Sequence, residues 1–193
     1  ISNLAIAPTE TLDLATYKSF GERKPFPRKG QYTLLAPDSF PSDAFRPNAA
    51  GTALTIQIDP TIVGPTGEGK VLKYTRISAK TFQRGGTVVS QLGDYLKACG
   101  QTGTVSGNPQ EQANAVEMTA GQAYEANLDW ELYAKSENPD GSPYELKGME
   151  NFPSDGNGGF VPYILSKTQT DPLTGEPKRL WANLRITGFI PRS

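Results

Sequence analysis

Residues Tyr124–Ala134 read YEANLDWELYA, and their alternation decides the fold class. The even positions are Tyr124, Ala126, Leu128, Trp130, Leu132 and Ala134. The odd positions are Glu125, Asn127, Asp129, Glu131 and Tyr133. Successive side chains of a strand point to opposite faces, so this stretch predicts a strand with one apolar, core-facing side and one acidic side. By this alternation Trp130 is buried.

The same period of two recurs on either side. Leu54, Ile56 and Ile58 alternate with Thr55 and Gln57 in Ala53–Asp59, and Ala182, Leu184, Ile186 and Ile190 suit a core in Leu180–Ile190. Further strands are expected at Gln31–Ala36, Lys70 to about Phe82, Tyr144–Phe152 and Phe160–Lys167. The loop Pro60–Gly69, with its PTGEG turn, makes a hairpin of the strands flanking it. ENPDGS and DPLTGEP mark later turns, and Pro153–Gly159 forms a glycine-rich loop.

Two short helices interrupt the strands. Ser90–Cys99 has Ser90 as N-cap, Leu92, Tyr95, Leu96 and Cys99 on one face, and Gly100 at the C′ position. Pro109–Met118 has Asn108 as cap, Pro109 at the first position and Glu111 in a capping-box-like place. The expected fold is mainly β with one or two short helices: an OB-like Greek-key barrel with long loops over residues 51–193. Residues 1–50, punctuated by Pro8, Pro25, Pro27, Pro37, Pro41 and Pro47, are expected as an irregular arm packed on that core.

Composition removes whole classes of chemistry. The chain has 193 residues, a length that suits one domain, and no histidine. The commonest general base and zinc ligand is therefore absent, and Ser-His-Asp or Cys-His catalysis is excluded. The single cysteine, Cys99, excludes an internal disulfide framework and favours a reducing compartment, so a cytoplasmic setting is expected. No apolar run approaches the roughly 18 residues of a membrane span. The opening ISNLAIAPTETLD lacks the basic-then-apolar order of a signal peptide. Net charge is −1, so affinity for a polyanion has to come from a local patch.

Such a patch exists in KVLKYTRISAKTFQRGG, Lys70–Gly86, which holds five cations and no acid. Read as one strand, it puts Tyr74, Arg76, Lys80, Phe82 and Arg84 on a single face. Cations there would neutralise phosphates while the rings stack on bases without selecting sequence; an ordinary solvated strand is the competing explanation. In Leu180–Ile190 the non-core positions Trp181, Asn183, Arg185, Thr187 and Phe189 form a second aromatic and cationic stripe. That stripe either binds a ligand or packs against the N-terminal arm or another subunit. A third cluster, Lys18, Arg23, Lys24, Arg28 and Lys29 with Phe20 and Phe26, reads as a solvated arm, with a clamp on nucleic acid as the alternative. Between Glu111 and Glu150 nine acids face only Lys135 and Lys147, which makes a nearly neutral chain strongly dipolar. Asp129 and Glu131 share a face, but exposed strand acids are ordinarily just solvated. No phosphate-loop or other catalytic motif is present.

The runs SAKTFQRGGTVVSQLGDYLKACG, GQAYEANLDWELY, YELKGMENFP and RLWANLRITGFI resemble phage proteins grouped with single-stranded DNA-binding proteins. The resemblance covers about residues 50–190. It implies an OB-like barrel that coats single-stranded DNA in phage DNA replication or recombination, in the host cytoplasm. Bacterial-type single-strand binders end in an acidic, partner-recruiting tail, whereas this sequence ends FIPRS, so the resemblance does not carry that role over.

The expected activity is sequence-tolerant single-stranded DNA binding, with RNA left open as a partner. The chain is not expected to be an enzyme and needs no metal or cofactor. Tyr74, Arg76, Lys80, Phe82, Arg84, Trp181, Arg185 and Phe189 are the candidate contacts. The alternative is a phage virion or assembly protein that uses the same faces for homo-oligomer contacts.

Overall fold

The structure is a computed structural model that describes residues 13–15, 29–131 and 163–193. In chain order it contains β1 (Gly30–Leu35), a single 3-10 turn at Ser42–Ala44, β2 (Phe45–Pro47), β3 (Leu54–Gln57), β4 (Thr61–Gly64), β5 (Arg76–Ser78), β6 (Phe82–Arg84) and β7 (Thr87–Val89). Two helices follow, α1 (Gln91–Ala98) and α2 (Pro109–Glu117). Then come β8 (Ala123–Glu131), β9 (Tyr163–Thr170), β10 (Pro177–Trp181) and β11 (Asn183–Ile190). The described residues are mainly β with two short helices, as the alternation and the helix caps predict.

Among the described residues every ladder is antiparallel. The largest sheet has the order β11-β8-β1-β4, a second has β2-β3-β5, and two hairpins pair β6 with β7 and β9 with β10. Among the described residues the ladders remain separate sheets and do not close a ring.

The predicted alternation of β8 sets the register of the large sheet. Tyr124 and Ala126 stand opposite Leu34 and Tyr32, all four buried. On the other face Glu125 stands opposite Thr33, whose hydroxyl donates to the Glu125 carboxylate at 2.6 Å. Trp130 lies on the inner face, half-buried against the core. Shifting this pairing by one residue would turn the acids inward, so burial pins the register.

Helix α1 forms where its cap predicts: Ser90 Oγ accepts from the Gly93 N–H at 2.9 Å. It packs against β11, β8 and β5, so it joins the two larger sheets through Leu92, Tyr95 and Leu96, all buried. Asn108 caps α2 by accepting from the N–H groups of Gln110 and Glu111. The Glu111 side chain is not a reciprocal cap. It takes a hydrogen bond from Ser106 Oγ, which in turn accepts from the Asn108 N–H.

Four expectations change. The loop expected over Pro60–Gly69 contains β4, which pairs with β1 and buries Ile62. Its apolar run is short and bracketed by Pro60 and Pro65, so turn residues mask it. The strand expected at Gln31–Ala36 within the arm is present as β1, but it takes an inner place in the large sheet, between β8 and β4. The strand expected over Lys70 to Phe82 is broken by a turn at Lys73–Tyr74, where Tyr74 adopts φ 61°, and resumes as β5 and then β6. The last expected strand divides at Ala182 into β10 and β11, and β11 carries a bulge between Ile186 and Gly188. The expected strand Tyr144–Phe152, the loop Pro153–Gly159, and Lys18, Phe20, Arg23, Lys24, Phe26 and Arg28 lie outside the described residues.

Candidate nucleic-acid interface

A groove of about 300 Å³ opens where the start of β5, the first turn of α1 and the bulge of β11 meet. Tyr74, Arg76, Gln91, Asp94, Arg185 and Phe189 line it, with Ile77 and Ile186 among its apolar members. Its size lies at the lower end of the roughly 300–1,000 Å³ usual for small-molecule sites. Four sequence-predicted residues, Tyr74, Arg76, Arg185 and Phe189, are thus brought together from segments about a hundred residues apart.

Each arrives differently from the simple strand expectation. Tyr74 lies in a turn, 62% exposed as a residue, with its backbone in the left-handed region. That region disfavours a residue with a Cβ by about 1–2 kcal/mol, so an exposed tyrosine held there is an unusual choice. The turn is fixed from below: the Asp59 carboxylate accepts from the Thr75 N–H at 3.0 Å, and the Thr75 hydroxyl donates to the Leu72 carbonyl at 2.7 Å. Arg76 follows on β5, exposed, opposite Gln57. Ser78 donates its N–H to the Gln91 side-chain oxygen at 2.8 Å, which ties β5 to the start of α1.

Arg185 is half-buried and stands opposite Asp129 in the ladder, an opposite-charge cross-strand pair. Its charge is therefore shared with the acidic face of β8. Phe189 corrects the expected outward stripe. The bulge inserts an extra residue before Gly188, so Phe189 falls opposite buried Ala126 and its ring packs on Tyr95 and Tyr124 at 5.6 and 6.0 Å between centroids. It walls the groove from the core side rather than standing free.

The other predicted contacts lie elsewhere. Lys80 is exposed after β5, its Nζ 5.4 Å from the Phe82 ring centroid. Phe82 and Arg84 belong to the β6–β7 hairpin, where Phe82 is 54% and Val88 58% exposed. Together they form a second cationic and aromatic patch on the same stretch of chain. Trp181 ends β10 opposite Tyr163, and its side chain is outside the described residues. Gln91 and Asp94 were not picked out by sequence, because polar residues on the outer face of an amphipathic helix ordinarily just face solvent.

Of the acidic pair, Asp129 meets Lys29 at 3.4 Å, which draws one cation of the basic cluster onto β8. The Glu131 side chain is outside the described residues. A smaller cavity of about 160 Å³ contains Asp43 and Asp59, both already engaged: Asp43 with Arg46, and Asp59 with Gln57 and Thr75. Burial pushes the Cys99 thiol up to about 11 and raises the Tyr95 and Tyr124 hydroxyls above their usual range. All three groups are neutral at physiological pH and belong to the core.

Among the described residues no helix is long and apolar enough to cross a membrane. No protein-family model matches the chain, and no curated protein and no solved structure matches it.

Proposed function

We propose that this chain binds single-stranded DNA with little sequence selectivity, in phage replication or recombination, by a non-enzymatic mechanism. The observation that carries the reading is the exposed Tyr74 ring, held in a strained turn at the rim of a groove beside Arg76. An exposed ring on a strained backbone gains nothing for folding, whereas a base could stack on it while Arg76 meets a phosphate. Lys80, Phe82 and Arg84 would extend the track along the hairpin, and Lys70–Gly86 brings no acid to oppose them. The resemblance over residues 50–190 supports the phage setting. An OB-like arrangement belongs to the same proposal; the packing of α1 between a four-stranded and a three-stranded sheet is what favours it.

Fluorescence anisotropy with labelled oligo-dT, duplex DNA and RNA at two salt concentrations tests this. Oligo-dT should bind, and more weakly at high salt; no binding at low salt overturns the proposal.

The exposed Phe82 and Val88 favour one second reading, a phage virion or assembly protein whose β6–β7 hairpin docks on another copy. Sedimentation of Phe82→Ser separates the two. A changed oligomer distribution with unchanged oligo-dT affinity favours assembly.

A further inference from the structure

The wall of the groove supplied by α1 offers a fixed pair of hydrogen-bonding groups. Gln91 and Asp94 are three residues apart, hence neighbours on one helix face, with Cβ atoms about 5–6 Å apart. The Gln91 oxygen is occupied by the Ser78 N–H. This turns the amide so that its NH₂ is left as a donor. The Asp94 carboxylate, an acceptor only, has no ion-pair or side-chain hydrogen-bond partner among the described residues, although two arginines line the same groove. Donor and acceptor are therefore exposed neighbours on the rim of a groove whose lining also includes Ile77, Ile186 and Phe189.

Of the DNA bases, guanine presents the complement to this pair. Its N1–H and N2–H₂ are adjacent donors that a carboxylate can accept together, and its O6 can accept from an amide NH₂. Thymine offers one N–H between two carbonyls, and a carboxylate repels both. Cytosine and adenine each set a ring acceptor beside their amino group. We propose that the groove takes one guanine of the bound strand, its edge read by Asp94 and Gln91 and its face covered by Tyr74. This rests on the single-strand reading and refines it: the cationic track tolerates any sequence, while one pocket sets a preferred register.

The test uses the whole chain and dT15 oligonucleotides with a central dT, dG or deoxyinosine, which lacks the N2 amino group. The dG oligonucleotide should bind about 5- to 150-fold tighter than plain dT15, with inosine between them. Asp94→Asn should collapse the ratio of dG to dT affinity. The inosine comparison needs no variant, so it stands even if Asp94→Asn fails to fold. Equal affinities of wild-type protein for dG and dT oligonucleotides overturn the guanine pocket and leave single-strand binding intact. Binding of neither overturns both. An undiminished dG preference in folded Asp94→Asn overturns the role given to the carboxylate.

Discussion

The Phe189 ring lies 5.6 Å from that of Tyr95, centroid to centroid, with the planes inclined at 65°. Tyr95 also meets Tyr124 edge-on at 5.3 Å and shares a hydrogen bond with Thr119 at 2.7 Å. One three-ring cluster therefore locks α1 to β8 and β11, directly behind the groove. Phe189→Ala should cost about 2–4 kcal/mol in urea melts, somewhat below the loss for a fully enclosed phenylalanine because this residue is only partly buried. A loss under about half a kcal/mol would mean that the ring is a ligand platform and not a structural wall.

Tyr74 offers the opposite test. Tyr74→Gly removes the ring and also relieves its left-handed backbone, which glycine adopts freely. Stability should hold or rise slightly, while oligo-dT affinity falls by about 1–3 kcal/mol through lost stacking. Unchanged affinity in anisotropy titrations would remove Tyr74 from the interface.

The salt dependence counts phosphate contacts. For single strands, log affinity should fall against log salt with a slope of about −0.7 per neutralised phosphate. Replacing Arg76 or Arg84 by Gln should flatten the slope by about one contact each. Arg185→Gln should flatten it less, because Asp129 faces that residue across the ladder.

Leu96 is 4% exposed on the buried face of α1, so Leu96→Ala should destabilise by about 2–5 kcal/mol in urea melts. A near-neutral result would show that α1 does not join the two sheets.

Alkaline pH should weaken the same core. The Cys99 thiol moves from an ordinary 9.0 to about 11 on folding, chiefly through burial, with Tyr95 and Arg192 opposing the shift. The Tyr95 and Tyr124 hydroxyls are raised in the same direction. Between pH 9 and 11 the folded chain holds protons that the unfolded chain has released. The contribution from these groups is thus complete below about pH 9 and fades as pH rises. Thermal melts should show Tm falling across that window, less steeply in Cys99→Ala.

Local features of the fold could be read from sequence because their causes are local. Ser90 and Asn108 cap the helices as predicted, and the alternation in Tyr124–Leu128 carries through to burial. Non-local features were hidden. β4 is a strand because β1 offers it an edge, and its own flanking prolines argue the other way. The Lys73–Tyr74 turn depends on Asp59, sixteen residues before its bonding partner Thr75. The groove gathers Tyr74, Asp94 and Phe189 only after both larger sheets have packed on α1. Sequence therefore picked out four lining residues but could not show that they share one site.

The bulge in β11 has a consequence for how this chain can vary in length. Strand geometry counts residues in twos, and the extra residue beside Gly188 reverses the phase once, between Ile186 and Phe189. The extra residue can be lost without changing this phase: the shortened strand would pair regularly and still set Phe189 opposite Ala126. Keeping it but pairing it regularly would instead set Phe189 opposite Glu125 and Ile190 opposite Tyr124. That slip would put an aliphatic side chain on the Tyr95 side and turn a phenylalanine toward solvent, undoing the ring cluster without altering any of its residues.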